Sequence, residues 1–246
     1  MTKEEILAAA SMPACSSSYP FGPYRFLNRE YFIISYRTDP AIIRKVLPEP
    51  IEPPTEPIIH YEWIRMPDSA GFGNYTESGL VIPGILNGEP INFVAEMFLD
   101  DLAPIVAGRE IWGFPKEYAQ VELKTVKDTL VGTLAYAEER IATGTMMYKV
   151  TPCDMEYIRQ SMARTQINLK LIPDVDGKPA IAQLVAINLA EIEVLGAWEG
   201  MARLHLIPHA HARMADFPVH EVVHGRHFIS HLTLPYGRVV YDYLKE

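Results

Sequence analysis

Apolar and polar side chains along this chain alternate in short runs. In Ile58–Met66, Ile59, Tyr61, Trp63 and Arg65 fall on one face, and His60, Glu62 and Ile64 on the other. Period-two alternation is the mark of a strand, where successive side chains point to opposite faces. Glu30–Arg37, Phe93–Leu99, Leu130–Ala137, Gln166–Ile172, Ala180–Leu195 and Phe228–Tyr243 follow the same reading, rich in Tyr, Phe, Ile and Val. Asp176-Gly177 between two such runs predicts a hairpin turn. Helical spacing is confined to Lys3–Ala10 and Pro40–Leu47. In the second, Asp39 offers an N-cap, Pro40 suits the first helical turn and Pro48 stops the helix.

The 20 prolines are spread between the apolar runs, as expected where many short strands are joined by turns. No βαβ alternation occurs, which argues against a parallel, doubly wound sheet. The expected class is therefore mostly β with a few short helices (α+β). The 246 residues fit one domain, because all-β chains of this length commonly form a single unit.

The net charge of −9, with no Lys/Arg run, excludes a nucleic-acid partner on electrostatic grounds. The two cysteines, Cys15 and Cys153, form no disulfide framework, so a reducing compartment is expected. Cys15 faintly resembles a lipoprotein cleavage site, but the acidic start, Glu4-Glu5, argues against a leader. No run approaches the roughly 20 apolar residues of a spanning helix. These readings point to a cytoplasmic protein that does not engage membranes.

The chemistry concentrates in Gly108–Tyr118, Gly-Arg-Glu-Ile-Trp-Gly-Phe-Pro-Lys-Glu-Tyr. This segment sets one amine, Lys116, beside Phe114, Pro115, Trp112 and Ile111. Apolar surroundings favour the neutral amine. A neutral amine is a nucleophile suited to imine formation with a carbonyl compound. Lowering a lysine pKa by about 4 units costs roughly 5–6 kcal/mol, which lies within the range known for buried lysines. The alternative at this point is a solvated lysine whose stem lies on Trp112.

The segments Phe21-Gly22-Pro23-Tyr24, Asn28-Arg29-Glu30-Tyr31-Phe32, Arg44-Lys45-Val46-Leu47-Pro48-Glu49-Pro50 and Tyr75-Thr76-Glu77-Ser78-Gly79 precede it. Pro115-Lys116, Thr129–Leu134 and Val239–Lys245 follow in order. Together, from about Pro20 to the C-terminus, they resemble the acetoacetate decarboxylase family. Members of that family use a lysine activated by desolvation or a neighbouring cation. The resemblance implies an antiparallel β-barrel forming a single catalytic domain over residues 1–246, a homo-oligomer, and no metal or organic cofactor. It implies Lys116 as the Schiff-base lysine, with Glu77, Arg29 and Glu62 as charged catalytic groups. Arg29, Phe114 and Met97 are expected to contact substrate.

The implied activity is decarboxylation of a short β-keto acid, acetoacetate to acetone and CO₂. Without the resemblance, Arg29 reads as a surface partner of Glu30, Glu62 as the polar face of a strand, and Glu77 as a solvated loop acid, because most charged residues are solvated. One position departs from the family: the residue after the lysine is usually a second lysine, and here it is Glu117. In a strand Glu117 would point away from Lys116, leaving desolvation alone to depress the amine. The departure keeps open a Schiff-base aldolase, dehydratase or hydratase acting on another oxo acid.

A competing signal is His220-Glu221-Val222-Val223-His224, which spells the H-E-x-x-H of zinc hydrolases. That motif needs a helix and a third ligand, and Val222 and Val223 favour a strand. Seven of the eight histidines fall between His205 and His231. They complete no recognised ligand set and are expected to form an exposed polar face.

Overall fold

The computed structural model describes residues 1–245. Strands β1 (Tyr24–Arg37), β2 (Ile58–Ser69), β3 (Gly73–Leu86) and β4 (Glu89–Leu99) form an antiparallel meander. After them come β5 (Lys116–Tyr118), β6 (Gln120–Val126), β7 (Thr129–Tyr136), β8 (Glu139–Met147) and β9 (Thr151–Pro152). The chain ends with β10 (Gln166–Pro173), β11 (Pro179–Ile187), β12 (Ala190–Gly200), β13 (Ala202–Leu206), β14 (Glu221–Leu234) and β15 (Arg238–Asp242). The helices are short: α1 (Lys3–Leu7), α2 (Pro40–Val46), α3 (Leu102–Ala107) and α4 (Met155–Met162).

Eleven strands form one large sheet in the order β15-β11-β10-β4-β3-β2-β1-β14-β12-β9, with β5 added in parallel beside β4. Strands β13-β8-β7-β6 form a second sheet. The small sheet covers one face of the large one. Phe32, Ile34, Tyr36, Tyr61, Trp63, Leu80 and Ile82 from the large sheet are buried there with Val121, Leu123, Leu130, Leu134, Ile141 and Met146. Burial of each such side chain is worth roughly 1.5–3 kcal/mol. The opposite face carries Tyr31, Ile64, Tyr75, Met97, Leu99 and Phe228, covered by α3, the π-helical turn Gly108–Trp112 that continues it, and Ile158 of α4. Alternation along β1, β2, β3 and β4 thus supplies two different apolar layers.

The mostly β expectation holds, but neither sheet closes into a barrel. The large sheet ends at β15 on one side and at the two-residue β9 on the other. Pro152 in β9 has no N–H to donate, which blunts that edge against further pairing.

The helix over Pro40–Val46 has the expected Asp39 cap, whose side chain accepts the Ala41 N–H at 2.8 Å. The first helix stops at Leu7. The turn at Asp176-Gly177 joins β10 to β11, with Gly177 at φ 82. Two strands expected to run unbroken are each divided. Ala180–Leu195 breaks between β11 and β12, next to Glu191 in the left-handed region (φ 50). Phe228–Tyr243 breaks at Pro235, between β14 and β15. Among the described residues, no helix is long and apolar enough to cross a membrane.

Candidate active site

Lys116 opens β5, directly opposite Met97 of β4 in a parallel register. Its backbone is set by the turn before it. The Gly113 N–H and the Phe114 N–H both donate to the Gly108 carbonyl, and Gly113 adopts φ 74. A Cβ on Gly113 would sit 2.4 Å from Lys170 Cβ, so both conformation and space require glycine there. From β10, Asn168 Nδ2 and Lys170 Nζ donate to the carbonyls of Trp112 and Ile111. Arg109 donates to the Lys116 carbonyl at 3.1 Å. The Lys116 stem lies on Gly108, where a Cβ would come within 2.6 Å of Lys116 Cδ.

The amine is therefore held from several sides and kept dry: Lys116 is 7% exposed. Its Nζ lies 5.3 Å from the Phe114 ring and 5.8 Å from the Tyr75 ring. The cavity around it is lined by Phe26, Ile64, Met97 and Leu234 as well. Trp112 takes another place than expected. Its indole N–H donates to the Pro235 carbonyl, and the ring packs on Tyr24 and Tyr236 rather than lining the cavity. The apolar wall comes from across the sheet as much as from chain neighbours.

Glu77 of β3 accepts a hydrogen bond from Lys116 Nζ at 2.6 Å and is itself 2% exposed. Arg29 Nη2 stands 3.9 Å from the other Glu77 oxygen. Arg29 reaches this point through a bulge in β1. The pairing with β14 shifts between Phe26 and Arg29, and Asn28 takes φ 52. A bulge changes which face the following residues present. Phe26 and Tyr31 then lie on either side of the guanidinium, with ring centroids 5.1 and 5.0 Å from its carbon. Arg29 Nε is buried with no hydrogen-bond partner. Glu62 of β2 lines the same cavity.

Burial lowers the Lys116 pKa below its usual value; Glu77 opposes the shift and Arg29 adds to it. Desolvation therefore dominates but does not act alone. Burial also raises the Glu62 carboxyl to about 7, with Arg29 opposing and Glu77 reinforcing. For Arg29, burial works against the charge, yet Tyr31, Glu77, Tyr75 and Glu62 outweigh it and hold the guanidinium above its ordinary pKa. Glu117 is exposed on the opposite side of β5, paired with Phe98, and does not contribute to the Lys116 shift.

All six residues singled out from sequence, Arg29, Glu62, Glu77, Met97, Phe114 and Lys116, line this one cavity. Gln166 and Leu189 also line it and carried no motif of their own; Tyr75 lines it two residues before Glu77. The H-E-x-x-H segment is different. Residues Glu221 onward are strand, with Val222 paired to Tyr36 and His224 to Ser35, so the required helix is absent. The histidines do not form one exposed face either. His227 is fully buried, 2.8 Å from Glu30, and His231 accepts the Asn28 N–H, whereas His209 and His211 flank Tyr136.

Residues 10–244 match the model of the acetoacetate decarboxylase (ADC) family. The chain belongs to that family. It is 52% identical over 238 residues to an acetoacetate decarboxylase of Burkholderia mallei (strain NCTC 10229), covering 97% of this chain and 96% of that protein. It is 53% identical over 237 residues to one from Ralstonia nicotianae, covering 96% of each. Its fold superposes on the crystal structure of an acetoacetate decarboxylase from Legionella pneumophila with a TM-score of 0.92. That match has 49% identity and covers 96% of this chain and 94% of that one. In this acetoacetate decarboxylase family member the buried lysine shares one cavity with Arg29 and Glu77.

Proposed function

We propose that this protein decarboxylates acetoacetate to acetone and CO₂ through an imine on Lys116. The observation that carries the reading is a lysine amine buried in an enclosed cavity 2.6 Å from a buried carboxylate. A low-dielectric site disfavours two separated charges, so the proton shared by Lys116 and Glu77 passes to Glu77 when a substrate needs the free amine.

The neutral Lys116 amine adds to the ketone carbon. Glu77 returns its proton to the carbinolamine oxygen, water leaves, and an iminium forms. The C–C bond to the carboxylate breaks and its electron pair moves into the iminium, releasing CO₂ and leaving an enamine. Protonation of the enamine carbon and hydrolysis release acetone and restore the lysine. Covalent catalysis divides one high barrier into several lower ones. Glu62, poised near neutral pH, suits the proton delivered to carbon.

Arg29 offers the unpartnered Nε to the substrate carboxylate. The attraction is tempered by Glu77 and Glu62, which favour neutral CO₂ over a held carboxylate; only interactions stronger in the transition state accelerate the step. Phe114 and Met97 contact the substrate's methyl end. That the whole chain acts as one catalytic unit, in a homo-oligomer and in the cytoplasm, belongs to the same proposal. The family match over residues 10–244 and the unpaired Cys15 and Cys153 support it.

The test is borohydride reduction in the presence of acetoacetate, followed by peptide mass spectrometry. An adduct on Lys116 with CO₂ release in the native protein, and neither in Lys116→Arg, is the expected result. Decarboxylation that persists in Lys116→Arg would overturn the reading.

A further inference from the structure

A second chamber lies on the same face of the large sheet and continues from the catalytic cavity. Tyr31, Glu62, Gln166 and Leu189 line both spaces. The outer chamber is also lined by Ser35, His60, Asn92, Arg164, His224 and Arg226, and Ile158 and Met162 of α4 cover it. It is the more open of the two.

Its chemistry is unusual for a chain of net charge −9. Among the described residues, neither Arg164 nor Arg226 forms an ion pair; Arg226 has only the Tyr157 hydroxyl, at 3.4 Å, and the Tyr157 ring. Arg226 Nε and His224 Nε2 are buried with no hydrogen-bond partner, as is Asn92 Oδ1. Arg226 Nε is therefore a buried charged donor left without a partner, and such a group is costly to leave unsatisfied. The imidazoles report the same positive field. Burial, then His224, Arg164 and Arg226, push His60 down to about 4, and burial, then Arg226, pushes His224 to about 4. No carboxylate offsets either shift.

We propose that this chamber is a carboxylate-binding antechamber, in which Arg226 and Arg164, with His224 as a further donor, take a small monocarboxylate from solvent before it passes Glu62 to reach Lys116. The ligand class follows from the geometry: unpaired guanidinium donors for a single anionic group, and the apolar Ile33, Val81 and Phe228 for a short hydrocarbon remainder. The passage to Lys116 rests on the decarboxylase reading above; the binding itself does not. A positive, low-dielectric cleft raises the local concentration of an anionic ligand and its association rate.

Two measurements separate the parts. First, acetate is titrated into Lys116→Met protein with isotope-labelled histidine. The His60 and His224 imidazole resonances are expected to move saturably, and to stop moving when Arg164→Gln and Arg226→Gln are added. No saturable movement overturns the chamber as a binding site. Movement in a native protein that fails to decarboxylate acetoacetate supports the chamber while sinking the decarboxylase reading.

Second, Arg164→Gln/Arg226→Gln in an otherwise native chain is expected to lower kcat/KM for acetoacetate roughly tenfold with kcat near native. Imine trapping with acetone, a neutral ketone, is expected to be unchanged. An unchanged kcat/KM in a double variant that melts like the native protein overturns the capture role. Should that variant not fold, native kcat/KM is measured against ionic strength. A fall with added salt for acetoacetate, but not for acetone trapping, supports capture; salt independence overturns it.

Discussion

Lys116 Nζ and Glu77 Oε1 stand 2.6 Å apart with both side chains almost fully removed from water. This pair joins two opposed demands. Burial favours the neutral amine, and the carboxylate favours the ammonium. Glu77→Gln removes the second influence, so the Lys116 pKa should fall further and imine trapping should begin at lower pH. The same variant lacks the proton acceptor, so kcat should fall by roughly 10²–10⁴-fold. Trapping followed across pH checks the sign; a shift to higher pH would contradict it.

Gly108→Ala places a methyl group 2.6 Å from Lys116 Cδ, against a stem with little room to yield. Overpacking of this kind costs about 1–3 kcal/mol. Displacement of a reacting group by about 1 Å can cost roughly 10²-fold in rate. The variant should therefore lose far more activity than its melting temperature implies, as kcat and thermal unfolding measured together will show.

Glu62 should leave a mark on stability as well as on rate. Its carboxyl titrates at about 7 in the folded protein against 4.5 without the fold. The stability contributed by its neutral form is complete below pH 4.5 and is lost as pH rises through about 7. That gap is worth roughly 3 kcal/mol at about 1.36 kcal/mol per pH unit. Glu62→Gln stays neutral throughout, so it should match the native protein near pH 4 and exceed its stability above pH 7. Denaturant unfolding at the two pH values decides the matter. The alkaline limb of kcat/KM near pH 7 should vanish in the same variant.

Arg29→Lys keeps the charge but loses the planar guanidinium that lies between Phe26 and Tyr31. The ammonium cannot offer two parallel N–H groups to a carboxylate, so kcat/KM for acetoacetate should drop about tenfold or more. Imine formation with acetone, which has no carboxylate, should change much less. Equal losses for the two ketones would show that Arg29 acts on the lysine rather than on the substrate.

Glu117→Gln tests the residue that departs from the family pattern. It faces solvent on the far side of β5 from the amine. The pH dependence of imine trapping should therefore move by less than about 0.5 pH unit, since exposed charges are strongly screened. A larger movement would mean that the two side chains share a field after all.

The site was legible in sequence to the extent that alternation governs it. Glu62 lies between Tyr61 and Trp63, both of which face the small sheet, so the pleat sends it to the opposite face. The same rule sets Glu117 away from Lys116. Arg29 was not legible that way, because the bulge marked by Asn28 breaks the count of two. Leu189 and Leu234 carried no signal, since they reach the cavity only from segments far from Lys116 in the chain. The division of Ala180–Leu195 falls at residues 188–189, and Glu191 just inside β12 is left-handed, which hydrophobic pattern does not register. Closure was likewise illegible. Whether a sheet joins its own ends depends on the edge strands, here β15 and the short β9, rather than on alternation within any one of them.

The large sheet is built on by one side and carries the Lys116 cavity on the other. Its backing layer, from Phe32 on β1 to Leu80 and Ile82 on β3, packs against the small sheet and does not line the Lys116 cavity. The reactive side is roofed by separate pieces: α3 with its π-helical turn, and α4. Remodelling the roof over α4 would therefore widen or narrow the range of acids admitted without disturbing the foundation that holds the amine in register with Met97.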